Sequence, residues 1–581
     1  MQNSLLAKRI KYPDIIQENK AFEGRKKSNN YSINVVSNIT NFQLCPILEY
    51  VLNKNFLHVN TIEGEYDNIV QDSFNLEKKE CVIIFWEVIN FSNDFIKNYN
   101  KFSLKEKKDF INQKKNEILL VIQNLSKTKL VLFNNFHLNT HVEDKKEYFN
   151  NLVEELNNFL HQNITENIKI IDLNKIFSAN TKYDLVNLEK FEKFKMLYTL
   201  DFYWEYIEEV VPTILSLNGK SKKVIILDCD NTLWNGVLGE DGFDNIKMSK
   251  KNKIGKIFYE VQTMLMEYAN EGVLLALCSK NNIEDVEEVM LNHKDMILNN
   301  NHIVLKEVNW NNKVDNIKKI SSTLNLNLDS FIFLDDSDFE INLVETYLPQ
   351  VKAIKVPENL ENYPELIKEL KKLFYQFSYS SEDKNRTEKY KQRAKRIEHE
   401  ATFTDVNQFL KSLKQKIVIN IDNLNIVERL SQISQKTNQF NLNTKRLSVS
   451  ETKQLINSNK CSVFSLSHSD QFGDSGVTGL AILFYNKDYA TIDQFMMSCR
   501  IIGRRVEEKF LENILMIVKK QNIKRVKASF SQTSKNNQVR YFYDKNNFLL
   551  LTENKLKKEY ECDLDNYTIK KNDNIIEVIN E

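Results

Sequence analysis

The stretch that decides the fold runs from 224 to 242: VIILDCDNTLWNGVLGEDG. It opens on Val224 to Leu227, an all-apolar run whose length predicts a short strand covered on both faces. The strand ends in Asp228-Cys229-Asp230-Asn231-Thr232. Side chains at the C-terminal edge of a parallel strand project into the crevice where α/β sheets bind ligands. Two carboxylates converging there repel unless they share a cation or a proton. A hard divalent cation, most simply Mg²⁺, satisfies both and also binds phosphate oxygens. One carboxylate is then available as nucleophile and the other as acid/base. Alternation points Cys229 away from the crevice and into the core.

Three further elements follow in order, each near a predicted strand end. Leu277-Cys278-Ser279-Lys280-Asn281 offers a hydroxyl and a helix N-terminus to a phosphate oxygen. Lys313 opens a predicted helix over 313–324, where its ammonium can neutralise charge on phosphorus. Phe331 to Leu334 leads into Asp335 and Asp336, two more acids for the metal. About 50 positions separate Asp228 from Ser279 and 34 separate Ser279 from Lys313. Those lengths hold a flap, Trp234 to Gly242, and one or two helices, with no room for an inserted cap domain. An open site suits a bulky or carrier-tethered substrate.

Working outward, 581 residues predict about three or four domains. Apolar strand runs alternating with helical periods predict a parallel α/β domain over 31–215, after a polar extension over 1–30. Its strands are read at 33–36, 82–86, 129–133 and 168–171. A second α/β domain is expected at 220–375, with strands at 224–227, 273–278, 304–308, 331–334 and 351–354. Residues 376–400 read as a charged, solvated linker helix. An α+β domain follows at 401–562, with strands at 463–466, 478–484, 489–492 and 525–529 and a helix over 506–519. A tail over 563–581 is expected to be partly disordered. The fold class is thus α/β and multidomain: doubly wound, Rossmann-like parallel sheets plus a C-terminal α+β domain.

The composition excludes several classes. There are 80 basic and 79 acidic residues, so no global field draws the chain to nucleic acid or an anionic membrane. No apolar run approaches the roughly 18 residues of a spanning helix, and no secretory h-region is visible. The seven cysteines are dispersed without a CxxC pair, which points to a reducing cytoplasm. Only 12 glycines occur where average usage would give about 40. Six of them cluster, at Gly236, Gly239 and Gly242 and at Gly473, Gly476 and Gly479.

Arginine is scarce too, yet Arg500, Arg504 and Arg505 crowd into the run MMSCRIIGRRVEE at 496–508. A helix N-terminus with Arg500, Arg504 and a close-approach Gly503 makes an anion cradle suited to a phosphopantetheine arm. Equally, it reads as a basic helix start with surface arginines. Cys499 beside those cations is either an activated thiolate or a small buried residue. Gln471 to Gly479 and Lys436 to Asn441 read as polar loops walling a pocket.

The four ordered elements of the 220–375 domain resemble the haloacid dehalogenase-like phosphohydrolases, in the pattern hhhhDxDxT, hhhS/T, Lys, hhhhDD. That resemblance makes Asp228 the nucleophile of an aspartyl-phosphate. It makes Asp230 the acid/base and a metal ligand through its carbonyl. Asn231, Thr232, Ser279, Lys280, Asn281 and Lys313 then surround the phosphoryl group, and Asp335 with Asp336 anchors Mg²⁺. The 500–505 run resembles R-x-x-G-x-G/A of the GNAT acyltransferases, departing at Arg505.

Together, LDCDNTLWNGVLGEDG, FIFLDDSDFE, KTNQFNLNTKR, FGDSGVTG and MSCRIIGRRVEE resemble the FkbH-like proteins. That family joins an SGNH-hydrolase-like domain, a capless phosphatase domain of the IIIC type and a GNAT-like domain. The resemblance implies transfer of a glyceryl unit from 1,3-bisphosphoglycerate, a phosphorylated acyl donor, to an acyl carrier protein, with loss of phosphate. Cys499 becomes the candidate acyl nucleophile. The alternatives are a phosphatase of another phosphorylated metabolite or sugar intermediate fused to a CoA-dependent acyltransferase, and a non-catalytic carrier-protein scaffold. In the N-terminal domain Val35-Val36-Ser37-Asn38 stands where an active SGNH enzyme has GDS, and no DxxH follows. Docking is the expected role there.

Overall fold

The computed structural model describes residues 5–23, 31–91, 101–137, 146–180, 184–375, 386–400, 402–498, 501–533, 535–567 and 575–580. Cys499 and Arg500 therefore lie outside the described residues. The chain divides into two compact units, 1–215 and 216–581. No helix among the described residues is long and apolar enough to cross a membrane.

The first unit is built on a parallel sheet. Its strands are β1 (Tyr31–Ser37), β2 (Val59–Tyr66), β3 (Cys81–Phe85), β4 (Leu130–Asn134) and β5 (Ile168–Ile171), in the order β2-β1-β3-β4-β5. Every residue of β3 and β4 is buried, as their apolar runs require. The edge strand β2 is mostly exposed and polar, so it leaves no apolar signal in the sequence. Helices Leu104–Asn124 and Lys146–Asn163 match their periodic stretches, and Tyr12–Glu23 is helical within the N-terminal extension.

The second unit begins with β6 (Val224–Leu227), β7 (Leu274–Ser279), β8 (Ile303–Val308), β9 (Phe331–Asp335) and β10 (Lys352–Lys355). All pair in parallel in the order β10-β9-β6-β7-β8. β6 lies at the centre with all four side chains fully buried, a burial that stabilises by roughly 6–12 kcal/mol at about 1.5–3 kcal/mol each. The chain builds outward through β7 and β8, then crosses back to β9. The strand order therefore reverses between β6 and β9, the place where open α/β sheets form their ligand crevice.

The rest of this unit carries a mixed sheet. Its strands are β11 (Gln415–Ile421), β12 (Phe440–Asn441), β13 (Cys461–Asp470), β14 (Gly473–Tyr485), β15 (Tyr489–Met497), β16 (Arg525–Ser531), β17 (Leu549–Glu553), β18 (Lys557–Asp563) and β19 (Ile576–Asn580). The order is β17-β18-β16-β15-β14-β13-β11-β19, with helix Val506–Lys520 packed on its core. β15 and β16 pair in parallel only over Tyr489–Ile492 and Arg525–Ala528. Beyond that the chain's own segment at Phe440 to Leu442 bonds to both: Leu442 N donates to Phe495 O at 3.1 Å and Ser531 N to Leu442 O at 2.7 Å.

Three expectations need correction. Residues 386–400 do form a helix, but it is packed rather than solvated. Tyr390, Ala394 and Arg396 are buried, and Arg396 makes a bidentate pair with Asp470 at 2.6 and 2.7 Å. Lys391 and Arg393 donate to carbonyls at Asn300 and Thr323. Charged side chains bury this helix through hydrogen bonds, which an apolar-stripe criterion does not register. The tail is not simply a disordered end, because β19 adds in parallel to β11 over Gln415–Ile419. Finally, 473–479 is strand and not a loop. A Cβ on Gly479 would come within 2.9 Å of Met497 Sδ and 3.0 Å of Leu466 Cβ, so its small size serves core packing and not a ligand.

Candidate active site

The crevice at the β6/β9 reversal gathers Asp228, Asp335, Asp336 and Lys313. Leu227 is in register with Leu334 and Leu277, so Asp228 leaves its strand beside Asp335 and next to the end of β7. Lys313 reaches in from the start of helix Lys313–Leu324. Asn312 caps that helix, accepting from Val314 N at 2.8 Å, and so fixes where the lysine begins. Lys313 Nζ donates to Asp228 Oδ1 and to Asp335 Oδ2, each at 2.6 Å. Asp336 joins them: one carboxylate oxygen from each of Asp228, Asp335 and Asp336 lies within 4.8 Å of the others.

The electrostatics follow from burial. Burial pushes the Asp228 carboxyl up to about 7; Lys313 opposes the rise and Asp335 adds to it. Burial also disfavours the charge on Lys313, but Asp228 and Asp335 outweigh it and hold the ammonium above its ordinary value. Asp336 is raised by burial and by Asp335, with the Asn231 side chain opposing as a hydrogen-bond donor. Two buried carboxylates thus meet one buried ammonium, with the partly exposed Asp336 beside them.

Asp230 is oriented by the flap. Its Oδ1 accepts from Trp234 Nε1 at 2.9 Å and from Leu238 N at 3.0 Å, and its Oδ2 accepts from Asn281 Nδ2 at 3.0 Å. Asn281 Nδ2 also donates to Ser279 Oγ at 3.1 Å. The turn that permits this has Asn231 in the left-handed region at φ 51° and Gly236 at φ 111°. A Cβ on Gly236 would stand 2.8 Å from Asp241 Oδ2, so this glycine is required twice over. Gly239 and Gly242 are different: a Cβ there would meet nothing within 4 Å.

Several expected residues have other places. The Asp230 carboxylate is engaged by the flap and stands outside the three-acid group. Thr232 is fully buried, its carbonyl accepting from Tyr363 Oη at 3.0 Å, so it supports the turn and does not reach a substrate. Lys280 pairs with Glu340 at 2.6 Å on the rim of the crevice. Cys229, by contrast, is buried as the strand alternation predicts, and burial pushes its thiol well above the ordinary value. Tyr363 and Gln262 brace the site from beneath, Gln262 Nε2 donating to Leu233 O at 2.7 Å. No local pattern marks either one, because Tyr363 lies 131 positions from its partner.

Of the predicted anion cradle, the described residues Gly503 and Arg504 are engaged within the chain. Arg504 is buried and turned onto Asp470 at 3.3 Å, alongside Arg396. Gly503 N donates to Glu507 Oε1 at 3.1 Å, so the helix-start amide is already used. Burial and then Arg396 push the Arg504 guanidinium down to about 9. In the first unit, Ser37 Oγ is buried and accepts from Ile39 N at 3.0 Å. Asn38 ties β1 to the end of β3 through Glu87, with bonds of 2.9 and 2.7 Å.

The strand order and these strand-end groups form an open parallel α/β fold with its crevice at the reversal between β6 and β9. Among solved structures, the chain is similar to the N-terminal part of protein BF1531 from Bacteroides fragilis, described as containing a phosphatase domain complexed with Mg. The two share 23% identity over 64% of this chain and 100% of that one, with a TM-score of 0.51, a likeness of fold. An N-acetyltransferase from Staphylococcus aureus Mu50 is similar over 26% of this chain and 99% of its own, at 16% identity and a TM-score of 0.20. No family model and no curated protein matches the chain.

Proposed function

We propose that the chain is an Mg²⁺-dependent phosphatase working through an aspartyl-phosphate on Asp228, joined to an acyl-transfer domain. The observation that carries this reading is the group of buried Asp228 and Asp335, bridged by Lys313, with the partly exposed Asp336 beside them. Its donors are hard carboxylate oxygens carrying more negative charge than one lysine balances, which fits a hard divalent cation. Asp228, Asp335 and Asp336 would hold the ion, with the Asp230 carbonyl as a further donor. Bound there, Mg²⁺ would supply charge neutralisation for phosphate oxygens.

The chain's own residues account for the remaining chemistry. The Asp228 carboxylate attacks phosphorus, and the bond from phosphorus to the leaving alcohol oxygen breaks. Asp230 gives that oxygen a proton. Asp230 then takes a proton from water as the water attacks the aspartyl-phosphate, releasing phosphate and restoring Asp228. Lys313 and the Ser279 hydroxyl offer donors to the phosphoryl oxygens, and Asn281 orients Ser279 and Asp230. Phosphate release from a phosphomonoester panel with Mg²⁺ tests this reading; no release from any, or full release by Asp228→Asn, overturns it.

The finer reading is transfer of a glyceryl unit from 1,3-bisphosphoglycerate to the thiol of an acyl carrier protein, with loss of the distal phosphate. It is supported by the five family-like segments and by a phosphatase crevice with no inserted cap. Mass spectrometry of a phosphopantetheinylated carrier after incubation with donor and Mg²⁺ tests it. The absence of a glyceryl adduct on a cognate carrier would remove this finer reading while leaving the phosphatase intact.

A further inference from the structure

The crevice end of the parallel sheet carries two large apolar side chains that folding leaves in water. Trp310 is 69% exposed and Phe339 is 67% exposed. Trp310 follows the end of β8, and Phe339 follows the Asp335-Asp336 pair that closes β9. The sheet order β9-β6-β7-β8 brings them to the rim from opposite sides of Asp228, which follows β6, and Ser279, which ends β7.

Neither ring is a loose surface side chain. Trp310 Nε1 donates to Asn282 Oδ1 at 3.1 Å, and Asn282 Nδ2 donates to Asp285 Oδ2 at 3.1 Å on the helix Ile283–Asn292. The backbone beneath is held as well. Asn309 N donates to Ser279 O at 3.1 Å, and Asn316 Nδ2 donates to Asn309 Oδ1 at 2.9 Å. Phe339 meets Lys280, whose Nζ stands 6.0 Å from the ring centroid and 2.6 Å from Glu340 Oε1. The loops after β7, β8 and β9 are thus tied to one another at a single rim. An indole whose N–H is already anchored gives up little freedom when a flat group stacks on its face.

The chemistry of the crevice says what passes this rim. Asp230, the proposed proton donor to the leaving oxygen, accepts from Asn281 Nδ2 at 3.0 Å. Asn281 and Asn282 are consecutive, so their Cα atoms lie about 3.8 Å apart. The residue that orients the acid and the residue that anchors the indole are neighbours on one loop. Lys280 is compensated by Glu340, so what the rim offers a ligand is ring surface and not free charge.

Resting on the phosphatase reading of the crevice, we propose that Trp310 and Phe339 determine its specificity. The substrate is a phosphomonoester whose organic group carries a planar ring, stacked on Trp310 and flanked by Phe339 while its ester oxygen meets Asp230.

Two phosphates of alcohols with similar acidity isolate the effect: 2-phenylethyl phosphate and ethyl phosphate. With Mg²⁺, kcat/KM of the full chain should be about three- to tenfold higher for the phenylethyl compound, the size of one aromatic stack. Trp310→Ala should bring that ratio close to one, and Trp310→Phe should keep most of it. Tyr347→Ala removes an exposed ring at the far end of helix Asp338–Tyr347 and should leave the ratio unchanged. The ratio cancels any general loss of activity or folding. Calorimetric titration with 2-phenylethylphosphonate and ethylphosphonate, which cannot be hydrolysed, reads the same preference without turnover. A wild-type ratio near one in both assays would overturn the proposal. So would a ratio that Trp310→Ala leaves intact, or one that Tyr347→Ala abolishes. Preferential binding of the phenylethyl phosphonate, with no phosphate released from either ester, would overturn the phosphatase reading and uphold the ring-binding rim.

Discussion

Trp234 donates its indole N–H to Asp230 Oδ1 over 2.9 Å from a fully buried position in the flap. With Leu238 N on the same oxygen, it fixes the direction of the carboxylate proposed as acid/base. Trp234→Phe keeps most of the apolar volume and removes the donor. Phosphate release should slow about tenfold or more, with KM nearly unchanged, as expected for a hydrogen bond to a charged group. Steady-state kinetics, with a melting curve to confirm folding, checks this.

Lys313 bridges two buried acids, so its loss exposes their mutual repulsion. Lys313→Met should destabilise the second unit by roughly 3–5 kcal/mol in EDTA. Added Mg²⁺ should then raise Tm more than it does for the wild type, because ion binding relieves what the ammonium no longer offsets. An equal Mg²⁺ shift in both proteins would contradict the three-acid site.

The first of these residues was legible in the sequence and the second more so. Three all-apolar runs, ending in Asp228, in Ser279 and in Asp335-Asp336, place most of the crevice residues, because buried parallel strands have little freedom in where they end. The flap's tie to Asp230 was visible only as a nearby glycine-rich window. What escaped depends on tertiary contacts. Arg396 and Asp470 lie 74 positions apart, and their pairing turns an apparently solvated helix into a packed one. Asn441, in a segment read as a polar loop, is fully buried, because it completes the gap between β15 and β16. Arg504 looked like a surface cation because its partner belongs to a distant hairpin.

That buried pairing gives a stability prediction. Asp470 has a fully buried carboxylate, bidentate with Arg396. Arg396→Ala should cost roughly 3–5 kcal/mol in chemical denaturation, because it leaves the carboxylate with a weaker partner. Substitution of the exposed Lys395 on the same helix should change stability by less than about 0.5 kcal/mol.

His468 gives the pH dependence. It is buried between Gln415 and Ser475, with ring contacts of 3.2 and 3.3 Å. Burial, then Arg504, push its pKa from 6.5 down to about 3, with Asp470 opposing and Arg396 adding. The unfolded chain takes up the proton first, so this residue's contribution is fully present above 6.5 and is lost as pH falls from 6.5 towards 3. The Tm of the second unit should fall over that window, and less steeply for His468→Gln.

The central claim is that Asp228 carries the phosphoryl group. Acid quench during turnover of an active phosphomonoester with Mg²⁺, followed by peptide mass spectrometry, tests it most directly. One phosphoryl adduct is expected on the peptide containing Asp228, absent in Asp228→Asn and accumulating when Asp230→Asn blocks hydrolysis. Turnover with the adduct on another residue, or an undiminished adduct in Asp228→Asn, would contradict it.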